Sequence, residues 1–316
     1  MVGFLCSARK EKRFANHLRK IMMRSLKEQN IYILVFTMSN MNLIDKTVFG
    51  SLITKNSITR LRTIIPSTIF NFSVQYAKSD FKKLMDLMEV ENLSLINSSN
   101  SFNQWTIMKM LTSDLKTRQY IMPFVNITKE ATTFNFSKTR NFIVKPQNGT
   151  KLSKTIYCRK TYTGYDLYNW GETICSHLFS IENAIMPTIR TGKWILSISP
   201  ELTTYNNRLY VLRSYLQKGN DGEWKVVLKS EVPQTKKVNK KTDDKIDDSL
   251  LQIIRYVNCF ILDLHFCSID LVFSKDGLPY FLNLSGWQNL TPGEPQDEIL
   301  FQSLCRNMMA YADISK

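Results

Sequence analysis

CSIDLVFSKDGLPYFLNLSG (267–286) reads as two short strands folded back on each other. Asp276-Gly277 favours a two-residue hairpin loop, whose two positions take positive φ. Such a loop pairs Lys275 with Leu278, Phe273 with Tyr280, Leu271 with Leu282 and Asp270 with Asn283. Cross-strand partners share a face, and the period of two adds Ser285 to the Asp270 and Asn283 side. Leu271, Phe273, Tyr280 and Leu282 are expected to point the other way, into a core. A carboxylate, an amide and a hydroxyl at one end of a β-ribbon are oxygen ligands suited to a hard cation, with less negative charge than Mg²⁺ ordinarily meets. A solvated hairpin end would carry the same residues.

The chain has 316 residues, 43% of them hydrophobic and 11% aromatic, enough for two or three lobes with real cores. No apolar run approaches the roughly 20 residues of a membrane span. MVGFLCSARKEKRF (1–14) sets its charges after the apolar stretch, the reverse of a secretory signal, so a cytoplasmic protein is expected. The six cysteines form no C-x-x-C pair and there are three histidines, which predicts reduced, mostly buried thiols and no zinc site. Cys259 and Cys267 flank an apolar stretch and read as core.

The net charge is +15, with eight Lys or Arg against one Glu over residues 9–27 and a second basic cluster at TKKVNKKTDDK (235–245). Such surfaces suit nucleotides, nucleic acids or anionic polymers. No zinc-finger, RNP or helix-turn-helix signature accompanies the charge, so a dedicated nucleic-acid partner is not expected.

Along the chain, Val2–Cys6 reads as a strand, Phe14 to Ser25 as an amphipathic helix with its basic residues outward, and IYILVFT (31–37) as a buried strand. Together they make a βαβ unit. SITRLRTIIPSTIFNFS (57–73) reads as a short helix and then a strand near 68–72. Helices follow over 79–88 and 101–111. NFIVKPQNGT (141–150) gives a strand with Lys145 at its end, and TIYCRKTY (155–162) another. Residues 172–179 read as helix and 181–189 as a strand interrupted by Pro187. Antiparallel strands then run over 194–199, 208–216 and 223–231, before a long helix over 249–265 leads into the hairpin.

That order resembles the ATP-grasp superfamily, and more narrowly the YheC/YheD group from endospore-forming bacteria. NFIVKPQNG resembles the strand that ends in a nucleotide-phosphate lysine before a glycine-rich flap. IMPFVNIT (121–128) resembles the "LPxT" approach to the central lobe. NNRLYVLRSYLQKGNDGEWKV (206–226) resembles the D-x-R-V…G-x-W stretch, and the opening hairpin the final D…D-x-x-G…LEVN element. The resemblance implies an α/β (α+β) ATP-grasp fold with an N-terminal βαβ lobe over 1–100 and an ATP-grasp domain over 101–316, its central lid lobe at about 128–190 and its C-terminal lobe at about 191–316. It implies ATP and Mg²⁺ as cofactors, a carboxylate substrate and spore-coat partners. Lys145, Gly149, Ser153, Thr155 and Met186 fall at the nucleotide, Asp270, Asn283 and Ser285 at the metal, and Arg208 at the acyl-phosphate or on Asp270.

Several of these positions depart from the family pattern. Asn283 and Ser285 stand where it has Glu and Asn, which leaves Asp270 as the acidic ligand. Removing one carboxylate forfeits an interaction of about 4 kcal/mol at a separation of about 4 Å and an effective dielectric of about 20. Ser153 and Thr155 replace flap glycines, Met186 lies in Ile185-Met186-Pro187 where Gln is usual, and Asn206 replaces the Asp of D-x-R. Asn103-Gln104-Trp105 stands where an earlier helix commonly supplies a lysine. The resemblance with these departures implies a nucleotide-binding scaffold with weakened or lost catalysis. An active ATP-dependent carboxylate–amine ligase and a basic polyanion-binding protein are the alternative readings.

Overall fold

The computed structural model describes residues 1–7, 10–25, 32–73, 78–127, 140–148, 154–169, 175–178, 185, 187, 189, 192–206, 208–232, 243–287 and 295–314. Apolar runs without alternation make strands buried on both faces, and the first such run opens the first sheet. β1 (Val2–Leu5), β2 (Ile33–Asn42), β3 (Thr47–Ile53), β4 (Ile58–Ile64), β5 (Thr68–Asn71) and β6 (Ser94–Ile96) form it in the order β4-β3-β2-β1-β5-β6. β2, β1, β5 and β6 run parallel, with α1 (Glu11–Ser25) as the first crossover; β3 and β4 extend the sheet antiparallel. The βαβ unit expected at the N-terminus is therefore present. The helix expected after Ser57 is instead β4, where Ile58, Thr59, Thr63 and Ile64 are β-branched and suit an extended chain.

A second, antiparallel sheet orders β7 (Phe124–Ile127), β8 (Asn141–Pro146), β9 (Ile156–Lys160), β10 (Tyr165–Asn169), β11 (Cys175–Leu178) and β12 (Trp194–Ile198) as β11-β10-β9-β8-β12-β7. Residues 175–178, read as helix, are its edge strand. Ile185, Pro187 and Ile189, read as strand, are helical. Ile185 and Ile189 are buried while Pro187 is exposed, a spacing of four that suits one helix face better than a strand.

The stretch 208–216 is split. Arg208–Leu209 (β14) closes a two-stranded ribbon with Thr204–Tyr205 (β13), and β15 begins at Val211. β15 (Val211–Lys218), β16 (Trp224–Val232), β17 (Phe266–Phe273) and β18 (Pro279–Ser285) make the third sheet in the order β16-β15-β17-β18. Its covering helix spans Asp243–Asn258 rather than 249–265, so Cys259 lies past the helix end and is exposed, whereas Cys267 is buried.

An aromatic cluster ties the first sheet to the third. Phe4, Phe14, Phe70 and Phe72 pack with Phe266, Trp287 and, from the C-terminal helix Pro295–Ile314, Phe301. Beside it lies a buried amide network. Asn97 Nδ2 donates to the Phe266 carbonyl at 2.6 Å and to Asn100 Oδ1 at 3.1 Å. Asn100 Nδ2 donates to the Asn71 carbonyl at 2.6 Å. Gly286 lies against this network: a Cβ there would stand 2.0 Å from Asn100 Oδ1 and 2.7 Å from its Cβ. Because Asn100 is held by those bonds and cannot swing aside, Gly286→Ala is expected to destabilise the fold by roughly 1–3 kcal/mol. Chemical denaturation checks this, and an unchanged midpoint would mean the network is not rigid.

Candidate functional site

The hairpin that closes the third sheet is built differently from its expected form. Three residues, Lys275 to Gly277, make the loop between Ser274 and Leu278, with Gly277 at φ +82°. Ser274 Oγ accepts the Leu278 N–H at 3.1 Å and so holds the longer loop. The pairs are therefore Phe273 with Pro279, Val272 with Tyr280 and Leu271 with Phe281. A bulge at Leu282 then restores Asp270 opposite Asn283, as the sequence suggested. Tyr280 and Leu282 consequently pack with Val272 and Ile143, while Leu271 and Phe273 pack on the opposite face with Phe281 and Leu284.

The bulge has a local consequence, since a bulged residue drops out of the ladder. The carbonyl of Leu282 receives the ammonium of Lys145, which reaches it from β8. That amine also lies 5.5 Å from the centroid of the Phe281 ring. Lys145 is 4% exposed. Burial pulls its ammonium down to about 7, and the charge of Asp270 pulls the other way.

Asp270 is fully buried and fully engaged. Arg213 on β15, directly across from it, donates from Nε to Oδ1 at 2.7 Å and from Nη2 to Oδ2 at 3.1 Å. Asn283 Nδ2 adds a third bond to Oδ2, also at 3.1 Å. Burial lowers the Arg213 pKa, but the Asp270 carboxylate outweighs it and the net shift is upward. Fork-on-carboxylate geometry of this kind is the strong form of an ion pair.

Of the residues the sequence singled out, the fold thus brings together Lys145, Asp270 and Asn283. Ser285 pairs with Ser268, hydroxyl to hydroxyl at 2.8 Å, one step along the ribbon. Arg208 sits half-buried on β14, and among the described residues no ion pair joins it to Asp270. Thr155 is buried just before β9. Gly149, Ser153 and Met186 lie outside the described residues. Arg213 was not singled out, although VLRSYL shows an arginine inside an apolar strand, a cation that must find a buried partner. Gln104, at the start of the helix Gln104–Ser113, binds the edge of β18, accepting the Leu284 N–H at 3.1 Å and donating to its carbonyl at 2.8 Å.

A YheC/D like ATP-grasp family model matches residues 92–231, the stretch that holds Lys145, Arg208 and Arg213. Solved ATP-grasp ligases match the whole fold. D-alanine–D-alanine ligase from Bacillus anthracis, complexed with ATP, aligns at TM-score 0.56 and 11% identity, over 99% of this chain and 98% of that one. VanG D-Ala:D-Ser ligase from Enterococcus faecalis aligns at 0.57 and 10%, over 99% of each. D-alanyl-alanine synthetase A from Vibrio cholerae aligns at 0.55 and 11%, over 98% of each.

Residues 92–231 carry the likeness to the YheC/D ATP-grasp family. A sequence search of curated proteins finds no match. The mixed, sheet-rich architecture is the ATP-grasp fold, related in shape to ATP-dependent carboxylate–amine ligases. Within this ATP-grasp domain, no group of three His, Cys, Asp or Glu side chains converges among the described residues. Among those residues, too, no helix is long and apolar enough to cross a membrane.

Proposed function

We propose that this ATP-grasp domain is a scaffold that binds nucleotide without a metal ion and has lost the ligase reaction. One observation carries the reading: both oxygens of Asp270 are committed to the guanidinium of Arg213. The donor set does not fit Mg²⁺. A divalent ion about 4 Å from that guanidinium would meet a repulsion of about 8 kcal/mol at an effective dielectric of about 20, and Asn283 and Ser285 bring no charge to offset it. ATP-grasp ligases depend on metal to neutralise the transferred phosphoryl group, and what stands here instead is a fixed cation. Arg213, with a side chain 15% exposed, supplies that charge to phosphate oxygens. Lys145, Gly149, Ser153, Thr155 and Met186 frame the nucleotide in this reading. An endospore-coat setting is what the family resemblance supports.

Calorimetric titration with ATP in Mg²⁺, in Mn²⁺ and in EDTA tests it. Equal affinity in all three buffers, with no ADP formed, is expected. Tighter binding with metal, or turnover, would restore the active-ligase reading, and silence in every buffer would remove the nucleotide.

A further inference from the structure

The first sheet ends on β4, and one side of that strand's backbone meets no other strand among the described residues. β3 and β4 pair without a break from Ile53–Ile58 to Thr47–Ile64. At the two ends of this ladder the Thr54 N–H bonds the Ser57 carbonyl at 2.9 Å and the Ile65 N–H bonds the Lys46 carbonyl at 3.0 Å. Antiparallel ladders alternate bonded and non-bonded pairs. The odd-numbered residues from 57 to 65 therefore spend their backbone groups on β3. Ile58, Arg60, Arg62 and Ile64 turn theirs outward, and among the described residues no strand pairs with that edge. Proteins blunt such an edge with charged side chains, a proline, a bulge or a covering element, and the charged side chains here are Arg60 and Arg62. β4 has neither proline nor bulge.

The chemistry around the edge is one-sided. No acidic residue occurs in 46–64, and Arg60 and Arg62 are exposed on the α1 side of the strand. Between that side and α1 runs a groove of about 580 Å³, lined by Lys12 and Arg60 over Ala15 and Ile58. The one carboxylate in its wall, Glu11, already accepts from Ser51 at 3.1 Å and from Arg60 at 3.5 Å. Arg60 also lies over the Phe49 ring at 5.0 Å. A second copy of β4 would set arginines against arginines, and a nucleic acid offers no amide ladder.

We propose that the β4 edge and the adjoining groove dock an extended acidic peptide of a partner protein, added antiparallel as a seventh strand. Its backbone meets the four outward residues, and its carboxylates face Arg60, Arg62 and Lys12. The site is separate from the nucleotide hairpin and holds whether or not ATP binds.

The probe is a short peptide of alternating glutamate and valine, titrated by fluorescence anisotropy at low salt. Binding is expected, with exchange of the 58–64 amides slowed at least about tenfold when the peptide saturates. Arg62→Pro removes one outward N–H without touching the β3 ladder, at an edge where proline is tolerated. It is expected to weaken binding about tenfold, or about 1.4 kcal/mol. The Arg60→Glu, Arg62→Glu double variant is expected to abolish binding and to accept the lysine-for-glutamate peptide instead. Failure of the peptide to bind overturns the proposal. So does unslowed exchange over 58–64, or duplex DNA slowing that exchange as well as the peptide does.

Discussion

Arg213→Ala is expected to lower the melting temperature by roughly 5–8 °C, the largest effect of any single change at the hairpin. The reason is what it leaves behind. Asp270 has no exposed side-chain surface, and its two oxygens are held chiefly by the guanidinium fork at 2.7 and 3.1 Å. Removing one member of a buried pair strands the other charge, a loss of roughly 3–5 kcal/mol. The amide of Asn283 is a single neutral donor and cannot replace a cation. Arg213→Lys keeps the charge but not the fork, so it should fall between the two. Replacing both partners, Arg213→Leu with Asp270→Leu, removes the stranded charge and is expected to recover most of the stability. Differential scanning calorimetry of the four proteins decides the matter. An Arg213→Ala protein that melts with the wild type would mean that water reaches Asp270 and that the ion pair does not organise the site.

Lys145→Met is expected to change the pH dependence of stability more than any other substitution. An unfolded lysine holds its proton up to about pH 10.5, whereas burial lets the folded one go near pH 7. Between those values the unfolded chain binds more protons, so stability rises with pH. Lys145 therefore contributes its full stability above pH 10.5 and loses it as pH falls towards 7. The slope is about 1.4 kcal/mol per pH unit inside that window. Methionine fills a similar volume, has no proton to exchange and leaves the Leu282 carbonyl without its donor. From pH 7.5 to 9.5 the wild type should gain on Lys145→Met by roughly 2–3 kcal/mol, read from urea midpoints at each pH. Parallel curves would show that the amine keeps its proton in the fold, and that its bond to Leu282 belongs to an ammonium over the whole range.

Both predictions depend on features that the sequence showed unevenly. Asp270 facing Asn283 is the pairing the DG turn predicts, although the fold reaches it through a different register. The path to that pair was not legible. The loop is one residue longer than expected, since Ser274 caps the Leu278 N–H, and the bulge at Leu282 compensates. Local turn preferences cannot foresee a bulge whose freed carbonyl is taken by a lysine 137 residues away. Ile58–Ile64 is strand where the sequence predicts helix, because its apolar residues fit either period and the ladder with β3 decides between them. Residues 175–178 and the helical Ile185, Pro187 and Ile189 differ from their reading for a similar reason: short apolar runs are read by what they pack against.

Arg213 is the plainest case of a residue hidden from sequence reading. It lies 57 positions from Asp270, and Arg208 in the preceding ribbon was an equally good candidate. The N-terminal βαβ unit, the Lys145 strand and the acidic hairpin were set by local patterning, and their order was enough to mark an ATP-grasp fold. Which cation meets the buried carboxylate was decided by β15 pairing with β17 in one register. That choice is tertiary because a one-residue slip of a strand turns every side chain to the opposite face, and only the packed sheets select between the two.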